Sequence, residues 1–339
     1  YFRERFEQNK SKRFARPPLG EFSQQHPLTI LFWHGGMRWW ELNFNTDLDW
    51  VKGAEHPTKI TYDKANLEKA HIVLFLEYVD QEAIKKLADW QAVALLTLEP
   101  GLASPTIQQE LKDVDILISY NQYSELRIDY TYALYWGQED KQSVASALSK
   151  GKLLNRLPNL KSKRTDALGC FFISNCSAHD SVLRMDYLRK LFQYIPMHSY
   201  GNCMHTEGLE KSVPKIETQS KYFFTFAFEN SMMDDYVTEK FYEGLRSDAI
   251  PIYLGAPNIQ EYMPNKTAKV MINVLDYPDP ADLASYLIHL ASHEDEYLEY
   301  FQWRNHPLEE SFNNRFNFNH KGPAGFPLRT AAWYLEHLA

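Results

Sequence analysis

Short apolar runs alternate with amphipathic stretches along most of this chain, and that alternation constrains the fold more than any other feature. Buried strands separated by helices are typical of a parallel sheet with helices on its faces. The pattern therefore predicts an α/β protein. In the first half the predicted strands are Leu28–Trp33, His71–Val79, Val93–Leu98 and Ile116–Ser119, with an amphipathic stretch at Gln81–Trp90.

The second half continues the alternation and adds helices after its last strand. Asp279 directly before Pro280 is typical of a helix start, because Asp caps a helix and Pro suits its first position. The predicted elements are strand Leu168–Ile173, helix Ser181–Gln193, strand Tyr222–Phe228, helix Thr238–Ser247, strand Ala249–Leu254 and the helices Pro280–Ala291, Glu294–Trp303 and Leu328–Leu338.

The length of 339 residues favours two domains over one. A polar, Lys-rich passage, Ser149–Thr165, is the predicted link between them. We expect a stem or extension over residues 1–19, an α/β domain over 20–155, a second over 165–305, and a tail over 306–339 that packs back on the first domain. Ligands of open α/β sheets bind beyond the carboxyl ends of the strands, so the expected site is a cleft between the domains.

The charge and the aromatic content narrow the class of partner. A net charge of −8 argues against nucleic acid as the main partner, because no uniform basic field is present to bind phosphates. Aromatic residues make up 14% of the chain. Aromatic rings pack against the C–H faces of sugars, although filling of the cores accounts for most of these residues.

One segment places several kinds of polar residue after a predicted strand. The strand delivers Glu229 and Asn230, and Thr238 caps the next helix with Glu239 and Lys240 in its first turn. A helix start with a lysine suits a diphosphate, and a nearby carboxylate suits the hydroxyls of a sugar or ribose. On the residues alone, an ordinary capped helix is as good an explanation. The segment reads Phe226-Ala-Phe-Glu-Asn-Ser-Met-Met-Asp-Asp-Tyr-Val-Thr-Glu-Lys-Phe-Tyr.

This segment and its continuation, Ala249-Ile-Pro-Ile-Tyr-Leu-Gly-Ala-Pro, resemble the donor-binding motif of the α-1,3-fucosyltransferases, glycosyltransferase family ten. The similarity extends from about Leu168 to Arg304. It implies two Rossmann-like domains facing a cleft, the GT-B type of architecture, and GDP-fucose as the donor substrate.

A second element, Ser174-Asn-Cys-Ser followed by Arg184 and Tyr187, resembles the part of the family whose Arg binds the pyrophosphate. A planar guanidinium suits phosphate oxygens. Without the resemblance, an Arg on an amphipathic helix is usually just solvated. The donor-binding residues that the resemblance implies are Arg184, Asn230, Tyr236, Glu239, Lys240, Asn175 and Glu229.

The chain has three cysteines, which form no zinc-ligand spacing. Tyr200-Gly-Asn-Cys203 also resembles the family, so the resemblance implies a disulfide between Cys176 and Cys203 in an oxidising compartment; in a reducing cytosol both are free thiols. Family members lie in the Golgi lumen behind a membrane anchor or in the bacterial cytoplasm. The start at Tyr1, the acceptor sequons at Asn175 and Asn265 and the cysteine pair fit the Golgi members, so we favour the Golgi, with an anchor outside the visible chain.

The implied reaction is an inverting displacement at the anomeric carbon of fucose, which needs one general base. Thr97-Leu-Glu-Pro resembles the family's Glu-Ser-Pro region and implies Glu99 as that base, at the end of a buried strand where a carboxylate has a raised pKa. A surface carboxylate before Pro100 is the alternative. No cofactor is required, although the family leaves room for stimulation by divalent cations. Two Asp-x-Asp pairs, Asp47-Leu-Asp49 and Asp113-Val-Asp115, lie in the wrong half for donor phosphates, so we expect neither to hold a metal.

The acceptor is left open by the sequence. The favoured acceptor is a glycan, with transfer to O3 of GlcNAc, and a polypeptide hydroxyl is the rival within the same family. A nucleotide-sugar-binding pseudoenzyme or lectin-like protein is the alternative from another class. The presence of Arg184, Glu239, Lys240 and Glu99 together argues against it, since loss of catalysis removes the need for a base.

Overall fold

The chain divides into two compact units in the computed structural model of the protein. The first comprises Tyr1–Asp129 and Lys321–Ala339, and the second comprises Tyr130–His320. The first part of the predicted linker, from Ser149 to Arg156, lies outside the described residues. The structure describes residues 1–15, 17, 22–34, 50–51, 54–100, 105–128, 130, 157–177, 181–210, 212–320 and 325–338.

The first unit is built on a six-stranded parallel sheet in the order β2-β1-β3-β4-β5-β6. Its middle strands are buried along their whole length because they consist almost entirely of aliphatic residues. The strands are β1 Leu28–Phe32, β2 Thr58–Thr61, β3 Ile72–Leu76, β4 Ala92–Leu96, β5 Ile116–Ser119 and β6 Leu126–Arg127; the helices are Phe2–Asn9, Gln81–Ile84, Pro105–Glu110 and Gly325–Glu336, with 3₁₀ turns at Lys64–Lys69 and Leu111–Asp113.

The amino-terminal residues are part of the first unit, so the expectation of a stem outside the fold is wrong. The guanidinium of Arg5 donates to both carboxylate oxygens of Glu125 at 2.9 and 2.8 Å, and both side chains are buried. Phe14 is also buried and packs on the rings of Trp333 and Tyr334 in the last helix. A basic, polar composition concealed these contacts, since burial of an Arg depends on a partner distant in sequence.

The second unit has a five-stranded parallel sheet in the order β11-β10-β9-β7-β8. Both sheets therefore share the doubly wound order in which the second strand lies outside the first. The predicted α/β class with Rossmann-like parallel sheets is confirmed. The strands are β7 Gly169–Phe171, β8 Met197–Ser199, β9 Phe224–Phe228, β10 Ile250–Leu254 and β11 Ile272–Asn273.

Helices cover the second sheet and bury its aromatic-rich strands. Asp279 accepts a hydrogen bond from the N–H of Ala281, which confirms the predicted helix start. Among the described residues, no helix combines the length and the apolar character needed to cross a bilayer. The helices are Ser181–Leu191, Lys215–Ser220, Glu239–Arg246, Pro280–Ser292, Glu294–Glu299 and Glu310–His320, with 3₁₀ turns at Leu160–Ser162, Ile259–Tyr262, Val274–Asp276 and Gln302–Asn305.

Only the first part of the amphipathic stretch Gln81–Trp90 is helical, because the helix ends at Ile84. The side chain of Gln91 accepts from the N–H of Ala88 and donates to two backbone carbonyls of residues 67 and 70. These tertiary hydrogen bonds hold the chain in turns where the local pattern favours a helix.

Candidate active site

The second sheet reverses its strand order between β7 and β9. From β7 the sheet extends to β8 on one side, and from β9 it extends to β10 and β11 on the other. The loops at the carboxyl ends of β7 and β9 therefore diverge and leave a crevice, which is where doubly wound folds bind ligands. Asn175 follows β7, and Glu229 and Asn230 follow β9. The structure thus brings these predicted site residues to one edge of the sheet.

Arg184, from the helix Ser181–Leu191, links the two strand ends at this crevice. Its Nη1 donates to the carbonyl of Phe228 at 3.0 Å and to Oδ1 of Asn230 at 2.7 Å, and its Nη2 donates to the carbonyl of Asn175. Burial lowers the pKa of Arg184, and the nearby charge of Glu229 opposes that effect. Within the described residues no carboxylate forms an ion pair with Arg184. Its hydrogen-bond partners are neutral, so no direct ion pair among the described residues neutralises its charge, although the residue is only 2% exposed.

Glu229 fixes the start of the helix Glu239–Arg246 from the sheet side. Its carboxylate accepts hydrogen bonds from the N–H of Thr238 at 2.8 Å and from the hydroxyl of Thr238 at 2.6 Å. Thr238 in turn is the N-cap of the helix and accepts from the N–H of Lys240, as the sequence predicts. The side chain of Glu229 has 0% exposed surface, so it offers no atom to a ligand. Its burial raises its pKa, which the charge of Lys240 opposes.

Lys240 and Glu239 form the polar surface of this helix start. The Nζ of Lys240 lies 3.1 Å from Oε1 of Glu239 and 3.5 Å from Oε2 of Glu229. Burial alone would lower the pKa of Lys240, but the two carboxylates outweigh burial and raise it. Burial alone would likewise raise the pKa of Glu239, but Lys240 and Lys215 outweigh burial and lower it. Both groups are therefore charged, and the side chain of Glu239 is 35% exposed.

Asp235 holds the loop between β9 and this helix, a role that sequence reasoning missed. Its backbone is left-handed, with φ of 68°. The N–H of Asp235 donates to Oδ1 of Asn258 at 2.9 Å, and its own Oδ1 accepts from Asn258 Nδ2 at 2.9 Å and from the hydroxyl of Tyr262 at 2.8 Å. Asp tolerates this conformation better than most residues. The residue lies within the motif, but its partners follow β10 and carry no local signal.

Tyr236, predicted to contact the donor, lies in the same loop and is only 2% exposed. Its ring meets that of Tyr130 edge to face, with centroids 6.4 Å apart. In this structure Tyr236 therefore packs inside the second unit.

A disulfide between Cys176 and Cys203 joins the loop after β7 to the loop after β8, with Cα atoms 5.6 Å apart. Gly201 lies in the second loop, where an added Cβ would be 2.1 Å from the carbonyl oxygen of Ile173. Only glycine permits this close approach of two backbones. The third cysteine, Cys170, is a buried thiol whose pKa burial raises to about 12.

The sequence that forms this crevice matches the model of a known family. Residues 161–323 match glycosyltransferase family 10 (fucosyltransferase), C-terminal part. These residues are a family 10 domain. The match includes the crevice between β7 and β9, the helix Glu239–Arg246 and the disulfide.

Named relatives of the family 10 domain fall into two groups. GDP-fucose protein O-fucosyltransferase 3 of Xenopus laevis is 32% identical over 141 residues, which are 39% of this chain and 29% of the relative. The 4-galactosyl-N-acetylglucosaminide 3-alpha-L-fucosyltransferase 9 of Bos taurus is 26% identical over 311 residues, 87% of this chain and 76% of the relative. The chain thus spans less than a third of the length of the first of these relatives.

Solved structures share the fold over nearly the whole chain. A crystal structure of an alpha1,3-fucosyltransferase covers 97% of this chain and 98% of its own, with a TM-score of 0.59 and 17% identity. A crystal structure of an alpha1,3-fucosyltransferase with GDP-fucose covers 93% of this chain and 95% of its own, with a TM-score of 0.55 and 18% identity. The fold therefore extends beyond the family 10 domain into the first unit.

Glu99, the predicted base, lies in the first unit, outside the family 10 domain. β4 ends at Leu96, and the side chain of Glu99 is exposed beyond it rather than at the end of the buried strand. The half-buried carboxylate at this edge is Glu77, which has φ of 64° and accepts from the hydroxyl of Thr97 at 2.8 Å. Burial raises the pKa of Glu77, and the charge of Glu99 raises it further.

One aspartate of the second Asp-x-Asp pair has a structural role in the first unit. Asp115 is buried, accepts from the N–H of Val93 at 2.7 Å and forms an ion pair with Lys12. Its carboxylate therefore anchors the sheet. The pair Asp47-Leu-Asp49 lies outside the described residues, as do Gly35–Leu48 around it.

Proposed function

We propose that this chain is a fucosyltransferase that moves L-fucose from GDP-β-L-fucose to an acceptor hydroxyl. The observation that carries the proposal is the pair of cations, Arg184 and Lys240, at the strand-order reversal of a family 10 domain. The name of one relative includes GDP-fucose, and one solved structure of the same fold contains it.

In this proposal the second unit binds the donor. The guanidinium of Arg184, the ammonium of Lys240 and the positive end of the helix Glu239–Arg246 neutralise the pyrophosphate. Asn175 and Asn230 contribute polar contacts at the strand ends, and Glu239 accepts hydrogen bonds from hydroxyls of the ribose or fucose. The remaining residues of the predicted donor set, Glu229 and Tyr236, are buried and hold the loop in place.

The proposed reaction is a single displacement with inversion at the anomeric carbon. The acceptor oxygen forms its bond to that carbon as the bond to the pyrophosphate oxygen breaks, and the electron pair of the broken bond leaves on GDP. Arg184 and Lys240 stabilise the charge that develops on the leaving group. The proton of the acceptor hydroxyl passes to a general base, for which we propose Glu99.

For the acceptor we propose O3 of GlcNAc in a glycan. The name of the bovine relative, which matches most of this chain, contains N-acetylglucosaminide. The name of the Xenopus relative, which is more similar over a shorter stretch, supports a protein hydroxyl as the second candidate. The two candidate functions differ only in the acceptor, so one assay with both kinds of acceptor separates them.

The test is turnover of GDP-fucose by purified protein with N-acetyllactosamine, an N-glycan chitobiose core and a folded peptide domain, following GDP release and product mass. Transfer to one of them identifies the acceptor class. Binding of GDP-fucose without transfer to any acceptor would favour a pseudoenzyme. Turnover that persists in Glu99→Gln would exclude Glu99 as the base.

We further propose that the protein functions in the Golgi lumen. A disulfide such as Cys176–Cys203 persists in oxidising compartments and is rare in reducing ones. Thiol alkylation of protein from its native source, followed by mass spectrometry, tests this. Two alkylated cysteines at these positions would place the protein in a reducing compartment.

A further inference from the structure

Two histidines and a glutamate converge where the helix Pro280–Ser292 meets the helix Glu294–Glu299. One ligand atom from each of His289, His293 and Glu296 lies within 4.8 Å of the others. We propose that these side chains form a binding site for a divalent transition metal ion, with Zn²⁺ as the best match. The site lies apart from the donor-binding elements and does not depend on the proposed function.

The distance between His289 and Glu296 is close to that of two ligands on one ion. The Nε2 of His289 lies 3.1 Å from each carboxylate oxygen of Glu296. Zinc bonds to nitrogen and oxygen at about 2.0–2.2 Å, so two ligands in a tetrahedron lie roughly 3.3–3.5 Å apart. An ion between His289 and Glu296 therefore needs only a small widening of their contact.

His293 makes the kind of hydrogen bond that metal-binding histidines make through their second ring nitrogen. Its Nδ1 lies 2.7 Å from the carbonyl of His289, and a carbonyl only accepts, so Nδ1 carries the proton. The lone pair of the neutral ring is consequently on Nε2. Metal-binding histidines characteristically donate their other ring N–H to a carbonyl or carboxylate in this way. The ring of His293 stacks on that of His289, with centroids 3.8 Å apart and an angle of 23° between the rings, so one ring must rotate before both nitrogens can face the same ion.

The ligand chemistry selects the ion. Two imidazoles and one carboxylate suit zinc, copper and nickel, whereas magnesium and calcium prefer oxygen ligands alone. On binding, the ion replaces the proton that His289 shares with Glu296. These side chains are 43% and 47% exposed, so without a metal their ion pair contributes little to stability. Exposure also leaves the fourth position open to water.

A bound ion would join the last turn of one helix to the first turn of the next. The second helix carries Tyr297, which is fully buried and donates its hydroxyl proton to the carbonyl of Phe223 at 2.7 Å, just before β9. An ion that binds only the folded arrangement stabilises it by mass action. The metal therefore acts as a clip that raises the thermal stability of the second unit.

The test is calorimetric titration of tag-free protein with Zn²⁺ alone, together with Tm measurements with and without the ion. The protein is kept oxidised so that Cys176 and Cys203 stay paired, and the thiol of Cys170 is buried. Thiols then do not compete with the histidines for Zn²⁺. We expect one saturable Zn²⁺ per chain, a Tm raised by several degrees, and at least about tenfold weaker binding in His289→Asn and in His293→Asn.

His306→Asn is the matched control, because His306 is an exposed histidine of the same unit outside the cluster. It should bind Zn²⁺ as the wild type does. The changed side chains at 289 and 293 are exposed, so these variants should keep the metal-free Tm of the wild type. Absence of saturable binding in the wild type would overturn the proposal. Undiminished binding in the double variant His289→Asn/His293→Asn would overturn it too.

Discussion

The carboxylate of Glu229 accepts hydrogen bonds from both the backbone N–H and the hydroxyl of Thr238, at 2.8 and 2.6 Å. A residue at the end of β9 thereby fixes the first residue of the helix that presents Lys240. Because Glu229 is buried, this contact positions the helix start without using exposed surface. The relationship explains why a carboxylate and a threonine nine residues apart belong to one motif.

Thr238→Ala removes the helix cap and one of the two hydrogen bonds to Glu229. We expect a loss of about 1–2 kcal/mol in the free energy of unfolding, because the carboxylate is left partly unsatisfied in a buried place. Urea unfolding measures the loss. Thr238→Ser keeps the hydroxyl and should remain close to the wild type. Equal stability of the two variants would show that the contact contributes nothing.

Arg184→Lys should weaken the binding of GDP by about tenfold or more. A lysine cannot donate to Asn230, Phe228 and Asn175 together as the guanidinium does. The two strand ends are then no longer tied to each other, and the positive charge lies in a different place. Calorimetry with GDP is the measurement. Arg189→Lys on the same helix is the control, since Arg189 is 55% exposed and pairs with the exposed Asp186. Similar affinities for the two variants would remove Arg184 from the donor site.

Glu77→Gln should stabilise the protein more at high pH than at low pH. The raised pKa of Glu77 means that folding favours its protonated form. That stability is present below the unfolded value near 4.5 and is lost as pH rises through the folded-state pKa. Gln resembles the protonated form and still accepts from Thr97. The Tm difference between variant and wild type should therefore grow from pH 4.5 to about pH 8; a constant difference would contradict the assignment.

Gly201→Ala should destabilise the protein by about 1–3 kcal/mol or more, because its Cβ would collide with the backbone of Ile173. Gly208→Ala is the control, since nothing lies within 4 Å of an added Cβ there. Thermal unfolding under oxidising conditions compares the two. A variant at Gly201 as stable as the one at Gly208 would mean that the loop shifts freely.

The sequence predicts the strands that bury a continuous apolar run, such as β3 and β10, and the helix start at Thr238. It does not predict β2 or β8. Three of the four residues of β2 are polar, β8 has only three residues, and both pair through neighbours distant in sequence. In the site, the charged motif is visible locally. The partners of Arg184 and Asp235 are not, because each depends on two strand ends meeting in three dimensions.

Calorimetric titration of GDP-fucose into the wild type and into Lys240→Met tests the central claim most directly. If the start of the helix Glu239–Arg246 binds the donor, the wild type binds GDP-fucose saturably. Lys240→Met then binds it at least about tenfold more weakly, since the positive charge of Lys240 no longer faces the pyrophosphate. No binding by the wild type, or equal binding by the two proteins, would contradict the account.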